Sequence, residues 1–233
     1  FVFTFDFQCS HIDTEEKIIK NSRAVLVTLC TDNTRQKEVE TSLDELESAL
    51  EIRLQEFLKV GCRASDIAVE YVCDVPTKEE ANDVLVKVLN GGKPTVKDTD
   101  IFKGYLTYFL MKMYARSNIS TELHIGAMRN NNAKMMEKLG LDTGFDSISD
   151  KNSISQLSRL LDRLNLEGAL PRLILFNLNP KMNAEIMTLM GCFQSSRAKG
   201  AVQYGAAWWF LDNKVGMEKH LEDLTATGHI GAF

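Results

Sequence analysis

Of 233 residues, 44% are apolar and 25% charged, and the formal net charge is −5; these proportions belong to an ordinary globular chain of one large domain or two small ones. The acidic balance argues against a nucleic-acid partner, which would call for a basic surface. No run of about eighteen apolar residues occurs, so no membrane-spanning helix is expected.

The opening segment, Phe1 to Phe7, alternates apolar and polar positions and lacks the basic start and long apolar core of a signal peptide; it reads as a strand or as leftover sequence. Arg23 to Cys30 is a continuous apolar run, as in a strand covered on both faces. Val39, Leu43, Leu46, Leu50, Leu54, Phe57 and Leu58 keep a helical period, which predicts a helix over 39–59 ending at Gly61. Ile67 to Val72 is the next predicted strand. Thr77 and Glu80 form a capping box for a helix that runs to Asn90 and breaks at Gly91-Gly92. A broad apolar stripe from Ile101 through Tyr105, Phe109 and Met113 predicts another helix up to Arg116.

Beyond this point the order is more regular. Strands are expected at 120–125, 172–177 and 201–206, and helices at 153–166 and 214–227. Asn179-Pro180 supplies an N-cap and a first-turn proline for a further helix, and Ile230 to Phe233 looks like the start of another strand. The repeated β–α order predicts a parallel sheet with covering helices. Order alone does not separate an open doubly wound sheet from a (β/α)8 barrel, although no glycine-rich phosphate loop follows an early strand. The five cysteines, Cys9, Cys30, Cys62, Cys73 and Cys192, form no CxxC pair and fit free thiols in a reducing cytoplasm.

The stretch His124-Ile125-Gly126-Ala127-Met128-Arg129-Asn130-Asn131-Asn132 carries the most chemistry. A strand-end imidazole and a guanidinium five residues on can serve an anionic, hydroxyl-rich ligand. Arginine grips a carboxylate with two parallel hydrogen bonds, and histidine titrates near neutrality. His124, Asn177 and Trp208 all fall at or just after a predicted strand end, where β/α barrels gather their sites. Bland readings stand beside these. A strand-end histidine is often structural, and asparagines tolerate a left-handed turn. Asp142 and Asp146 suit loop capping, Met182, Met187 and Met190 suit packing, His220 is expected to be solvated, and His229 lies in a turn.

Four blocks in register, the one above with Asp142-Thr143-Gly144-Phe145-Asp146-Ser147-Ile148, Leu178-Asn179-Pro180 and Ala207-Trp208-Trp209-Phe210-Leu211-Asp212, closely resemble the uronate isomerase family of the amidohydrolase superfamily, from about Leu43 to Phe233. The resemblance implies an α/β fold, a TIM-like (β/α) barrel of the metal-dependent hydrolase type with an added helical region. Residues 76–117 look like part of that addition within a single, partial barrel domain spanning 1–233. A complete circuit needs strands the sequence does not display, so an incomplete barrel with exposed edges, prone to homo-oligomeric association, is expected.

The implied reaction is aldose–ketose isomerisation of a sugar acid, D-glucuronate to D-fructuronate or D-galacturonate to D-tagaturonate, in the cytoplasm. Carried onto this sequence, the family pattern makes His124 catalytic and Arg129 substrate-binding, with Trp209, or less so Trp208, facing the sugar. Asp66 follows a family Gly-Cys…Ser-Asp pattern but precedes Ile67 where the family has histidine, and it keeps a polar role. Cys30-Thr31-Asp32 matches a further family strand end.

The family also implies a divalent metal, zinc or similar, on a His-x-His pair and an aspartate of a terminal Asp-x-Arg pair. Neither pair occurs here. The histidines are His11, His124, His220 and His229, so no metal ligand is assigned and no cofactor is expected on this chain alone. It is expected to be a fragment, or a product that has lost its machinery, with little or no turnover even when zinc or manganese is added. Two alternatives remain: a non-catalytic barrel remnant that binds a sugar acid or a protein partner, and a metal-dependent hydrolase of the same superfamily, which would need the same absent histidines.

Overall fold

Polar caps set where the helices begin. The computed structural model of the chain describes residues 2–6 (backbone only), 42–194 and 200–225. Helix α1 (Leu43–Lys59) starts at Ser42, whose hydroxyl accepts the Glu45 N–H while the Glu45 carboxylate accepts the Ser42 N–H. The predicted first residues of this helix, 39–41, lie outside the described residues. Thr77 and Glu80 close the expected capping box at α2 (Lys78–Leu89). Thr95 and Asp98 close another at α3 (Val96–Arg116), one turn ahead of the apolar stripe that signalled the helix. The extra turn is polar or solvent-facing, so periodicity could not reveal it.

The described sheet has five strands in the order β1 (Val2–Asp6), β2 (Ala64–Val69), β3 (Ser120–Ile125), β6 (Leu173–Asn177) and β7 (Val202–Tyr204), every pair parallel. Strand follows strand across the sheet without the reversal that marks a doubly wound fold. Between β3 and β6 the chain makes a short antiparallel ribbon, β4 (Ala127–Met128) with β5 (Ser147–Ile148), around α4 (Ala133–Leu139). Helix α4 was not expected; none of its residues is buried, so it carries no apolar period. The predicted strands at 23–30 and 230–233 lie outside the described residues.

Two strands, β2 and β7, differ from expectation by more than one residue. β2 covers 64–69 rather than 67–72, because Ala64 to Val69 pair residue for residue with Ser120 to Ile125. Its polar residues concealed its first half from a search for apolar runs, and Asp66 is an interior strand residue. β7 stops at Tyr204, short of residue 206. After it Gly205 donates its N–H to the Leu175 carbonyl at 2.8 Å and the chain turns away.

Alternation along the strands divides the sheet into two faces. Ile67, Val69, Leu123, Ile125, Leu173 and Leu175 are buried among the core residues contributed by α1, α3, α5 (Ile154–Leu166) and α6 (Asn183–Gly191). Asp66, Ala68, Glu122, His124, Ile174 and Phe176 lie on the opposite face and are half-buried. Asn179 caps a short 3-10 turn (Pro180–Met182) leading into α6, as its Asn-Pro pair predicted. Met182, Met187 and Met190 are buried packing residues.

His220, expected to be solvated, is instead 7% exposed. It lies on α7 (Lys214–Leu224) with its ring stacked on Tyr204 at 4.4 Å. The apolar residues on either side of it, Met217 and Leu221, are the exposed ones, so the helix turns opposite to the face its sequence suggested. Burial lowers the His220 pKa, so the fold favours the neutral ring. Stability is therefore whole above the unfolded value of about 6.5 and falls as pH drops below it. Urea melts should show wild type losing more stability than His220→Gln between about pH 7.5 and 5.5; parallel losses would exclude His220 as the cause.

Candidate functional site on the half-buried sheet face

Parallel register sets Asp66 beside Glu122, and Ala68 beside His124 and Phe176. Asp66 reaches diagonally to His124, with its Oδ1 2.7 Å from Nδ1. An ionised carboxylate only accepts, so Nδ1 carries the proton and Nε2 is left for other chemistry. The imidazole lies nearly parallel to Phe176, centroids 4.3 Å apart, and meets Trp208 edge-on at 4.7 Å. The Trp208 Nε1–H is buried and finds no hydrogen-bond acceptor among the described residues.

Gly126 ends the strand with φ +101°, a conformation that strains any residue bearing a Cβ. Its N–H points to the Val69 and Glu70 carbonyls, and its own carbonyl accepts the Ser149 N–H. This turn sends Arg129 over the strand ends. Asn130 takes up a left-handed backbone, φ +55°, as the asparagine run suggested. Asp146, whose side chain is 4% exposed, accepts the Asn130 N–H at 2.8 Å and the Arg129 Nη1–H at 3.2 Å. Asp146 is thus structural, yet what it holds is the arginine. The Arg129 guanidinium lies 4.8 Å from the Trp209 ring centroid. Trp209 has φ +50°, an uncommon conformation for a bulky residue, and it stacks on Phe210 at 4.9 Å.

The five residues singled out from sequence therefore form one chain of contacts. Asp66 meets His124, His124 meets Trp208, Trp208 meets Trp209 at 5.6 Å, and Trp209 meets Arg129. Asn177 stands apart. It is buried, donating to the Asn179 carbonyl and Asn183 Oδ1, and so shapes the turn after β6. Trp208 lies four residues beyond β7, not at its end. Glu122 and Phe176 were missed; their signal was strand parity, since Glu122 stands two residues before His124 and must share its face.

The metal set implied by the resemblance does not fit, because these residues offer no His-x-His pair. A different trio, Asp66, Glu122 and His124, is gathered instead. Cys62 and Cys73 are buried free thiols and Cys192 an exposed one. No described helix is long and apolar enough to cross a membrane.

Together these features define a parallel β/α protein, wound in one direction, with a polar and aromatic face at its strand ends. The family model for glucuronate isomerase matches residues 26–233, and the chain belongs to that family. It is 50% identical over 194 residues to a uronate isomerase of Caldanaerobacter subterraneus, covering 83% of this chain and 42% of that protein. It is 44% identical over 193 residues to one of Clostridium acetobutylicum, covering 82% and 41%. The crystal structure of a uronate isomerase from Thermotoga maritima superposes with a TM-score of 0.76 at 29% identity, over 88% of this chain and 43% of that one. A glucuronate isomerase from Caulobacter crescentus gives the same TM-score at 23% identity, over 89% and 41%, which speaks to the fold alone. The chain spans about two-fifths of the length of these relatives.

Proposed function

We propose that this chain acts on hexuronates, in the aldose–ketose interconversion of D-glucuronate with D-fructuronate or of D-galacturonate with D-tagaturonate. The observation that carries this reading is the unbroken contact chain from Asp66 to Arg129 along one face. Arg129, at the far end of that chain of contacts, would hold the sugar carboxylate with its guanidinium. In the reaction a proton leaves C2 and one reaches C1, while O1 gains a proton and O2 loses one. His124 Nε2 is suited to carry such a proton, with Asp66 steadying the imidazolium that forms. Trp208 and Trp209 would wall the sugar, and the buried Trp208 N–H would find its acceptor in a hydroxyl. The one-way winding is read as part of a (β/α) barrel, the helices within 76–117 as an addition to it, and cysteines without a CxxC spacing as fitting a reducing cytoplasm. The outer edges of β1 and β7 are where copies could associate.

Calorimetric titration with D-glucuronate and D-glucose tests this. The uronate is expected to bind and glucose, which lacks the carboxylate, to bind at least about tenfold more weakly, since a charged hydrogen bond contributes roughly 1.5–3 kcal/mol. Equal affinities, or no uronate binding by folded protein, would reject the reading. A second reading, binding without turnover, is favoured by the absence of a His-x-His pair among the four histidines. Sugar-acid binding without ketouronate formation, zinc or manganese included, would select it.

A further inference from the structure

We propose that Phe176 is a positioning residue: its ring fixes the plane of the His124 imidazole, and with it the direction in which Nε2 meets a substrate. Its part in the reaction rests on the isomerase reading; its hold on the ring does not. Phe176 and His124 are register partners on β6 and β3, so their side chains leave the same face of the sheet side by side.

Asp66 alone does not orient the imidazole. The bond between its Oδ1 and Nδ1, 2.7 Å long, pins one point of the ring and leaves it free to tilt about the line joining the two groups. Nε2 lies off that line, so every tilt carries it sideways. Phe176 removes this freedom, because the two ring planes lie within 4° of each other with centroids 4.3 Å apart. Trp208 meets the imidazole at 77° and the Phe176 ring at 81°, and so braces both. A proton carrier has to stand about 2.6–3.2 Å from its partner atom, and a misplacement of about 1 Å can cost on the order of a hundredfold in rate.

Phe176 is itself set from behind. A Cβ on Gly205 would stand 2.4 to 2.6 Å from three atoms of its ring, so the ring lies directly against the backbone that follows β7. That backbone is tied down by the Gly205 N–H bond to the Leu175 carbonyl. An aliphatic side chain at 176 would fill the same space but present no plane to the imidazole. The flat face, rather than bulk, is therefore what the site draws from this residue.

The test is NMR of the histidine side chains in ligand-free protein, with His124→Gln identifying the His124 signals. In wild type the Nδ1–H tautomer should dominate, and the carbon-bound ring protons of His124 should be moved upfield by the Phe176 ring. Phe176→Leu and Phe176→Met should lower the ratio of the Nδ1–H to the Nε2–H tautomer by about two- to tenfold, the worth of one aromatic pair. Phe176→Tyr keeps the face and should keep the ratio. Thermal melts establish that each variant is folded. An unchanged ratio in folded Phe176→Leu or Phe176→Met, an equal loss in Phe176→Tyr, or wild-type ring protons without the upfield shift would overturn the inference. D-glucuronate is added last. Binding that leaves the His124 signals unmoved would reject the role of Nε2 in the isomerase reading while the placement of the ring by Phe176 stands, so the two failures are distinct.

Discussion

Arg129→Lys is expected to weaken D-glucuronate binding by roughly ten- to a hundredfold, the range set by losing one charge-assisted hydrogen bond of about 1.5–3 kcal/mol. The guanidinium has several tasks at once. It gives Nη1–H to Asp146 and lies over the Trp209 ring, and a guanidinium presents its N–H donors in one rigid plane. A lysine ammonium is a point charge on a flexible stem and cannot hold these contacts in one plane. Asp146→Asn is expected to cost less, since the amide still accepts one hydrogen bond while the charge that fixes the guanidinium is lost. Calorimetry on both variants, with melts to establish folding, measures the difference. Equal affinity in wild type and Arg129→Lys would remove Arg129 from the site.

Gly205→Ala is expected to destabilise the fold by about 1–3 kcal/mol, as overpacking does, and to disturb the site as well. A Cβ on Gly205 would stand 2.4 to 2.6 Å from three atoms of the Phe176 ring. The backbone cannot retreat freely, because Gly205 N–H is bonded to the Leu175 carbonyl at 2.8 Å. The ring must move instead, and it is the ring on which His124 stacks. A double-mutant cycle separates this clash from a general backbone effect: Gly205→Ala should cost much less in a Phe176→Ala background. The His124 imidazole NMR signals should shift in the single variant. The same cost in both backgrounds would show that Phe176 is not what the methyl meets.

Much of the secondary structure was legible along the chain. β3 spans the predicted 120–125, the Thr77 capping box closes as its spacing required, and α5 buries Leu157, Leu160, Leu161 and Leu164. These signals are local, since a helical period or a cap is complete within a few residues. Where prediction slipped, at the start of β2 and the end of β7, the deciding partner lay far away in sequence. Ala64–Asp66 are strand because Ser120–Glu122 pair with them, and His220 is buried because Tyr204 receives its ring. Neither pairing can be read from apolar periodicity, which cannot see across a crossover.

The sequence by itself determined the residue types of the site, the family they resemble, and the parity that puts Glu122 and His124 on one face. It could not say that Asp66, separated from His124 by 58 positions, is the group bound to its Nδ1, nor that Asp146 holds Arg129 against Trp209. Tertiary structure decided those contacts, because strand register and loop closure depend on pairing between distant segments. A shift of one residue in the β2–β3 register would have turned Asp66 to the opposite face of the sheet.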